Sequence, residues 1–376
     1  MSSLALLAVS LLVKPALPSQ QRPYLQLGQA VEGSTLEIVW QTPGGSPEGN
    51  IEWRQIGGTW KPAGQVSGYR IRVKGSPEID IHRAIVNPEP GQDFDYRLVR
   101  HGVTLSRATG HARPTERGKQ TFAVLGDCSE GSAAQAEIAE KLSSLDPEYL
   151  VITGDIVYQH GRLSEYASRF FPYYAADKPD PKVGAPLLGR TLFVGAPGNH
   201  DLAESFDTNA FPDLWGYFAF WSQPMNGPAY RFGQVGTPLL NGPRLAELRA
   251  MAGNRAPRMA NFSFDMGDVH WLVLDSNPYA HVRGPTLTNW IDQDLRSSQK
   301  RWTFVAFHHP PFQSAPKHAD DIWMRNLHDL FVRDGVDVVW CGHVHNYQVN
   351  RPIGLKGTAR EWPIDTAWDG RTVTKP

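Results

Sequence analysis

Five short polar blocks in this sequence carry the residue types that bind metal ions. In chain order they are Gly126-Asp127, Gly154-Asp155 followed by Tyr158, Gly198-Asn199-His200-Asp201, His308-His309 and Gly342-His343-Val344-His345. Carboxylate, imidazole and amide oxygen are ligands for hard or borderline metal ions. Two ions about 3.5–4 Å apart can activate water and hold a phosphoryl group for in-line attack. The residue types therefore favour a site for two metal ions bridged by one carboxylate, with phosphoester hydrolysis as its chemistry.

The segments before these blocks predict the strands that would bring them together. Short apolar runs end just before the blocks, at residues 121–125, 149–153, 192–194, 302–307 and 336–340, and a further apolar run covers 270–274. Residues 132–144 have apolar residues at helical spacing behind Ser132, a residue type that caps helices. Strand, helix, strand is the unit of a layered α/β domain, in which functional residues gather just past the strand ends.

The first third of the chain has a different pattern, and nothing in it suggests catalysis. Alternating apolar runs at 34–42, 51–55, 68–74, 82–86 and 94–99 are separated by Gly, Pro, Ser and Asn clusters. Short alternating strands at this spacing predict a β-sandwich. A polar linker at 113–120 then leads to the α/β pattern. We interpret the sandwich as a structural or contact module.

The N-terminus is interpreted as a targeting segment. Residues 4–13 form an apolar run too short to span a bilayer as a helix, and Lys14 and Pro15 follow it. This arrangement is typical of a secretory signal peptide, which we expect at residues 1–20. The protein is then expected to be secreted or periplasmic, without a membrane span once the signal is removed. A buried or frayed N-terminal helix is the alternative.

Composition and charge exclude several classes of function. The chain has 376 residues, of which 41% are hydrophobic, so it can form a packed core in about two domains. Lys and Arg number 37 against 38 Asp and Glu, so the net charge is −1 and no nucleic-acid partner is expected. Two cysteines exclude a disulfide-rich scaffold. Cys128 and Cys341 flank candidate ligands; two buried thiols and a pair in contact are both open. The oligomeric state is not indicated.

The order of the blocks resembles the metallophosphoesterase (calcineurin-like) superfamily. Tyr158 makes the chain similar to purple acid phosphatases in particular, and the β-rich segment resembles the fibronectin-III-like domain that precedes catalysis in many of them. The resemblance covers roughly Thr121 to Arg351. It implies an α/β fold: a layered α/β/β/α metallophosphoesterase domain at 119–376, preceded by a small all-β sandwich domain at 21–115. Relatives usually continue past the last block with more strands, so a C-terminal truncation is also left open.

The resemblance implies metal-binding roles for seven residues. The first metal would be held by Asp127, Tyr158 and His345, the second by Asn199, His308 and His343, and Asp155 would bridge both. The implied pair is Fe(III) with a divalent iron, zinc or manganese ion. Tyr158 points to ferric iron, because a phenol with a pKa of about 10 ionises at acidic pH only on a strong Lewis acid.

Histidines are expected at the substrate end of the site. By resemblance, His200 would contact the phosphate and assist protonation, and Asp201 would fix its tautomer. His318 would bind phosphate or protonate the leaving group, although Lys317 occupies the position beside it. His309 is assigned to substrate binding, with a supporting or surface role as the alternative.

The implied function is hydrolysis of small phosphate esters. The leading prediction is an acid phosphomonoesterase of purple acid phosphatase type that uses a metal-bridging hydroxide as nucleophile. A phosphodiesterase on the same bimetal core, acting on nucleotides or phospholipid-type substrates, is the alternative, and a non-catalytic binding module is a third. Between Asp201 and Asn261 lies an aromatic insertion that either walls the pocket or packs over the sheet edge.

Overall fold

The computed structural model describes residues 17–29, 33–73, 75–203, 207–208, 210–238, 245–356 and 362–373. The apolar run at 4–13, which we interpret as part of a signal peptide, lies outside these ranges. Within the described ranges, none of the helices combines the length and the apolar composition that crossing a bilayer requires.

The N-terminal part consists of two antiparallel sheets, as the alternating pattern predicts. Their strands are β1 (Tyr24–Gln26), β2 (Leu36–Pro43), β3 (Asn50–Gln55), β4 (Lys61–Pro62), β5 (Gly64–Ile71), β6 (Ile79–Val86), β7 (Asp93–Arg100) and β8 (Val103–His111). The strand orders are β1-β2-β6-β5 and β4-β3-β7-β8. Trp40 of the first sheet and Phe94 of the second are fully buried in one apolar cluster between them. The sequence did not predict β1, β4 or β8: β1 and β4 have only 3 and 2 residues, and β8 alternates only over its first four residues, VTLS.

Two further sheets follow the linker. Their strands are β9 (Phe122–Leu125), β10 (Tyr149–Ile152) and β11 (Leu192–Gly195) in one sheet and β12 (Phe262–Met266), β13 (Val269–Val273), β14 (Trp302–Ala306) and β15 (Val338–Trp340) in the other. All pairs are parallel except β12 with β13. The sheets face each other through aromatic rings. Phe122 lies 5.2 Å from Tyr149 of its own sheet and 5.6 Å from Trp271 of the other, measured between ring centroids.

Helices pack against both of these sheets. The helices are α1 (Ala133–Leu145), α2 (Leu163–Glu165), α3 (Phe171–Tyr174), α4 (Asn199–Leu202), α5 (Gly216–Phe220), α6 (Leu245–Ala252), α7 (Pro285–Ser297) and α8 (His328–Arg333). Ser132 caps α1 as predicted, since its hydroxyl accepts the Gln135 N–H at 3.3 Å. Ala139 of α1 packs with Leu150 on one side, and Ile291 of α7 packs against the other sheet. The predicted α/β/β/α layering is confirmed.

The aromatic insertion joins the N-terminal sheets to the α/β layers. The side chains that it buries here are Trp215, Tyr217, Phe218, Phe220 and Trp221. Tyr24 of β1 donates a hydrogen bond of 2.6 Å to the Phe220 carbonyl. Arg83 and Glu37 form a buried ion pair, 3.2 Å apart. The Ser222 hydroxyl donates a hydrogen bond of 2.6 Å to the carboxylate of Glu37. For this part of the insertion, packing is the observed role.

Candidate metal centre

Parallel strand register brings the predicted ligand blocks to one edge of the molecule. Ile152 of β10 pairs with Leu125 of β9 and with Gly195 of β11, so the three strands end at the same level. Asp127 and Asp155 follow these ends with φ values of 55° and 49°, in the left-handed region that aspartate tolerates better than most residues. A side chain at Gly198 would collide with the Asp155 carboxylate, so this close approach requires glycine.

The residues predicted for the first metal lie together. The Tyr158 hydroxyl is 3.0 Å from Asp127 Oδ1, 3.3 Å from Asp155 Oδ2 and 3.0 Å from His345 Nε2. His345 Nε2 is also 3.2 Å from Asp127 Oδ1. Ligand atoms of Asp127, Asp155 and His345 all lie within 4.8 Å of one another, which is close enough for one ion to contact them all.

The residues predicted for the second metal form an adjoining cluster. His308 Nε2 lies 2.9 Å from Asn199 Oδ1, 3.2 Å from Asp155 Oδ2 and 3.2 Å from His343 Nδ1. Asp155, His308 and His343 are buried, and their ligand atoms also lie within 4.8 Å of one another. Asp155 belongs to both clusters, which is the position that a bridging carboxylate requires. The structure therefore brings all seven predicted ligands together, while their binding of metal stays a prediction.

The electrostatics of the clusters fit cations. Burial, and then the charges of Asp155 and Asp127, raise the pKa of the Tyr158 hydroxyl, so its ionisation requires a strong positive charge nearby. Burial opposes protonation of His308, but the charge and hydrogen bond of Asp155, together with the charge of Asp127 and the bond to the Thr153 carbonyl, outweigh it and raise the pKa of His308 to about 9. In the metal-free protein a proton on His308 thus offsets the Asp155 charge. A cation bound here would replace that proton.

The family comparison agrees with this geometry. The sequence model of the calcineurin-like phosphoesterase family matches residues 120–347, the span that contains all five polar blocks. The chain belongs to the calcineurin-like phosphoesterase family. The resemblance inferred from the blocks is therefore confirmed, and the chain is a metallophosphoesterase with a candidate metal site built from histidine and aspartate.

Individual relatives of this phosphoesterase include plant purple acid phosphatases. Purple acid phosphatase 21 of Arabidopsis thaliana is 26% identical over 302 residues, covering 78% of this chain and 58% of the relative. Purple acid phosphatase 22 of the same plant is 21% identical over 321 residues, covering 83% of this chain and 63% of the relative. The chain thus spans less than two thirds of the length of either. A solved structure of PhoD shares the fold, with a TM-score of 0.50 at 12% identity over 87% of this chain and 72% of PhoD.

His200 lies at the first cluster of the phosphoesterase, but Asp201 does not orient it. The His200 ring is 4.5 Å from that of Tyr158, and its Nδ1 lies 2.8 Å from the Gln159 carbonyl. That carbonyl can only accept, so it fixes Nδ1 as the protonated nitrogen. The buried Asp201 carboxylate instead accepts backbone N–H groups of Gly198 and Ile156, at 2.9 and 3.1 Å. The prediction that Asp201 fixes the His200 tautomer is wrong; Asp201 joins two ligand loops.

His309 and His318 lie beside the second cluster in different environments. His309 is only 2% exposed, and its Nδ1 lies 2.9 Å from the Ser276 hydroxyl. Burial, and then the charges of His308 and His343, lower the pKa of His309 to about 2. Such a side chain offers a substrate almost no surface, so its contacts favour the supporting role, and the assignment of His309 to substrate binding stays a prediction. His318 is partly exposed, with its ring 4.0 Å from that of His343.

Sequence reasoning missed the polar residues that hold the ligand blocks in place. The Ser276 hydroxyl accepts the backbone N–H groups of His308 and His309, at 3.1 and 2.9 Å. Asn277 donates to the Gly198 carbonyl at 3.2 Å. Both residues follow β13, so the rule used for the other strand ends would have found them. Asp321, which contacts His318 and His343, follows no strand and carried no such signal.

Two open questions from the sequence are answered near the site. Cys128 and Cys341 are both free thiols, and burial raises the pKa of Cys128 to about 12, so it stays protonated and unreactive at neutral pH.

Phe211 of the aromatic insertion approaches the second ligand block, with its ring 4.1 Å from that of His160. Among the described residues of the insertion, Phe211 is therefore one candidate wall residue.

Proposed function

We propose that this phosphoesterase is an acid phosphomonoesterase of purple acid phosphatase type. The observation that carries the proposal is the position of Tyr158, whose hydroxyl is within 3.3 Å of Asp127, Asp155 and His345. A phenol among these donors favours ferric iron, because burial and two carboxylates raise its pKa and only a strong Lewis acid would ionise it at acidic pH. The two plant relatives named above support the same class.

Each cluster would hold one ion. Asp127, Tyr158 and His345 would bind Fe(III), Asn199, His308 and His343 would bind a divalent iron, zinc or manganese ion, and Asp155 would contact both. When bound, such ions supply the Lewis acidity that lowers the pKa of water and neutralises charge on a phosphoryl group.

The chain itself supplies the proton donors and the contacts to the substrate. His200 has a side chain that is 22% exposed, and its Nδ1–H is committed to the Gln159 carbonyl. Its Nε2 therefore remains to hold a proton for the leaving alcohol or to bond the phosphate. His318 supplies a second imidazole at the second cluster, next to His343.

The test compares turnover of an aryl phosphate monoester with that of the matching diester, from about pH 4 to 9, and measures bound metals in the same preparation. We expect a monoester preference with an acid optimum, and bound iron with a divalent ion. A diester preference near neutral pH would keep the metal centre and replace the substrate class. Absence of both turnover and bound metal would instead favour a binding module.

We also propose that the protein is exported. The proposal rests on the apolar run at 4–13 and the Lys-Pro pair that follows it. Expression of the full chain, followed by N-terminal sequencing of the protein outside the cytoplasm, tests it. A mature protein that starts after the apolar run is expected, and an uncleaved cytoplasmic chain would contradict the proposal.

A further inference from the structure

One carboxylate oxygen joins a candidate metal ligand to the candidate substrate histidine. Oδ2 of Asp321 lies 3.0 Å from Nε2 of His343 and 3.0 Å from Nδ1 of His318. The rings of the two histidines are 4.0 Å apart between centroids. On its other side, His343 turns Nδ1 toward Nε2 of His308, at 3.2 Å and inside the second cluster. Asp321 therefore contacts His343 on the side away from that cluster.

A tight turn brings the carboxylate to this position. The backbone N–H of Asp321 donates to the His318 carbonyl at 3.1 Å, and His318 has a φ of 62°. The turn folds the Asp321 side chain back onto the His318 ring. Asp321 is partly buried, whereas its neighbour Asp320 is exposed.

The contacts determine which nitrogen atoms of the two rings are free. An ionised carboxylate only accepts hydrogen bonds, so His343 must carry its proton on Nε2 and its lone pair on Nδ1. A histidine that binds metal usually donates its other N–H to a carboxylate, a carbonyl or water, which fixes the ring and raises its basicity. By the same reasoning His318 donates from Nδ1, which leaves its Nε2 for a substrate.

We propose that Asp321 is a positioning residue that serves both the second metal and the substrate. It holds His343 so that Nδ1 faces the ion, and it holds His318 beside the ion with Nε2 free. The proposal rests on the proposed function, since that function gives His343 and His318 their roles. Its first test below does not depend on turnover.

A metal ion held by His318, Asp321 and His343 themselves is the competing interpretation. The ligand atoms of these three residues lie within 4.8 Å of one another. An ion there would occupy Nε2 of His343 while the second cluster occupies Nδ1. A neutral imidazole has one lone pair, so this arrangement requires a fully deprotonated ring. The hydrogen-bonded arrangement requires no such deprotonation and is the one we argue.

Metal affinity provides the first test. Metal-free wild type, Asp321→Asn, Asp321→Glu and Asp320→Asn are titrated with zinc against a competing chelator. We expect Asp321→Asn to weaken binding of one ion about 10–100-fold, the usual effect of replacing a residue that hydrogen-bonds a metal ligand. Asp320→Asn removes the same charge from the same loop and should leave affinity unchanged. Asp321→Glu should retain more affinity than Asp321→Asn, because it keeps a carboxylate.

Two outcomes would overturn the proposal. One is wild-type zinc affinity in Asp321→Asn together with an unchanged His343 tautomer, read by nitrogen NMR of the imidazole rings. The other is a third zinc ion per wild-type chain that Asp321→Asn removes, which would assign the cluster to metal binding. Both measurements use the metal-free or zinc-titrated protein. They decide the role of Asp321 even if the wild type turns over no phosphate ester.

Substrate kinetics at saturating metal test the link to His318. We expect Asp321→Asn to raise KM more in the wild-type background than in a His318→Gln background, because part of its effect acts through His318. Equal effects in both backgrounds would show that Asp321 does not act through His318 and would overturn that half of the proposal. Asp320→Asn again serves as the matched control.

Discussion

Nε2 of His308 lies 3.2 Å from Oδ2 of Asp155, and neither side chain is more than 1% exposed. Burial of both partners is offset by their mutual attraction, which raises the pKa of His308 to about 9 and holds that of Asp155 below its usual range. A metal ion requires the neutral imidazole. Occupation of the second cluster must therefore displace a proton that the metal-free protein holds tightly.

We expect zinc binding at pH 7 to release about one proton from His308. Calorimetric titrations in buffers with different ionisation enthalpies measure this number directly. In His308→Ala the release should fall by that proton, along with the affinity for one ion. Binding enthalpies that do not depend on the buffer would contradict the expected proton release.

Replacing Tyr158 with Phe tests its part in iron binding. The change removes one hydroxyl that contacts Asp127, Asp155 and His345 and keeps the ring beside His200. We expect bound iron and the visible absorption of an iron-phenolate pair to be lost, while the divalent ion is retained. Tyr173→Phe, which alters a partly buried tyrosine outside the two clusters, is the control. Iron content equal to that of the wild type would remove the argument for ferric iron.

The stability of the fold should fall at alkaline pH because of His270. Burial opposes its charge, but hydrogen bonds to Asp265 and Asp294, at 2.8 and 2.9 Å, raise its pKa to about 9. The bonded imidazolium therefore stabilises the fold fully below about pH 6.5, and this contribution is lost as pH rises through about 9. Between pH 6 and 10 we expect this group to account for about 1–3 kcal/mol of the lost unfolding free energy.

Denaturant unfolding of wild type and His270→Gln at pH 6 and at pH 10 measures the contribution of His270 to the unfolding free energy. The difference in unfolding free energy between the two proteins should be large at the lower pH and small at the higher one. A difference that does not change with pH would show that His270 is not charged in the folded protein.

The buried pair of Glu37 and Arg83 should be strongly required for stability. Glu37→Ala leaves the Arg83 guanidinium buried without its carboxylate and also removes an acceptor of the Ser222 hydroxyl. We expect a loss of about 3–5 kcal/mol in unfolding free energy, the usual result of breaking a buried pair from one side. Glu52→Ala breaks a partly exposed pair with Arg97 and should cost about 0–1 kcal/mol. Equal losses would contradict the distinction.

The ligand blocks were predictable because each stands at the end of a strand. Parallel pairing with matched register brings residues at strand ends to one edge of the sheet. Local patterns were therefore enough to locate Asp127, Asp155 and His343. The same local reasoning found the Ser132 cap of α1.

What the sequence did not reveal depends on contacts between distant segments or on backbone groups. The acceptor that fixes His200 is the Gln159 carbonyl, which no side-chain pattern indicates. Asp321 reaches His343 through a turn within a loop. Whether the aromatic insertion covers substrate or core depends on which surface it meets, and that surface is provided by the first sheet of the chain.

The apolar core is continuous across the linker. Val39, Ile81 and Tyr24 of the N-terminal sheet share one cluster with Tyr217 and Phe220 of the insertion, which in turn follows the loop that bears Asn199. Cutting the chain at the linker would therefore expose large aromatic side chains to water on both pieces. The two halves are separate in pattern and in sheet, but they share one apolar core, and an α/β half prepared alone would lack the packing that lies behind its ligand loop.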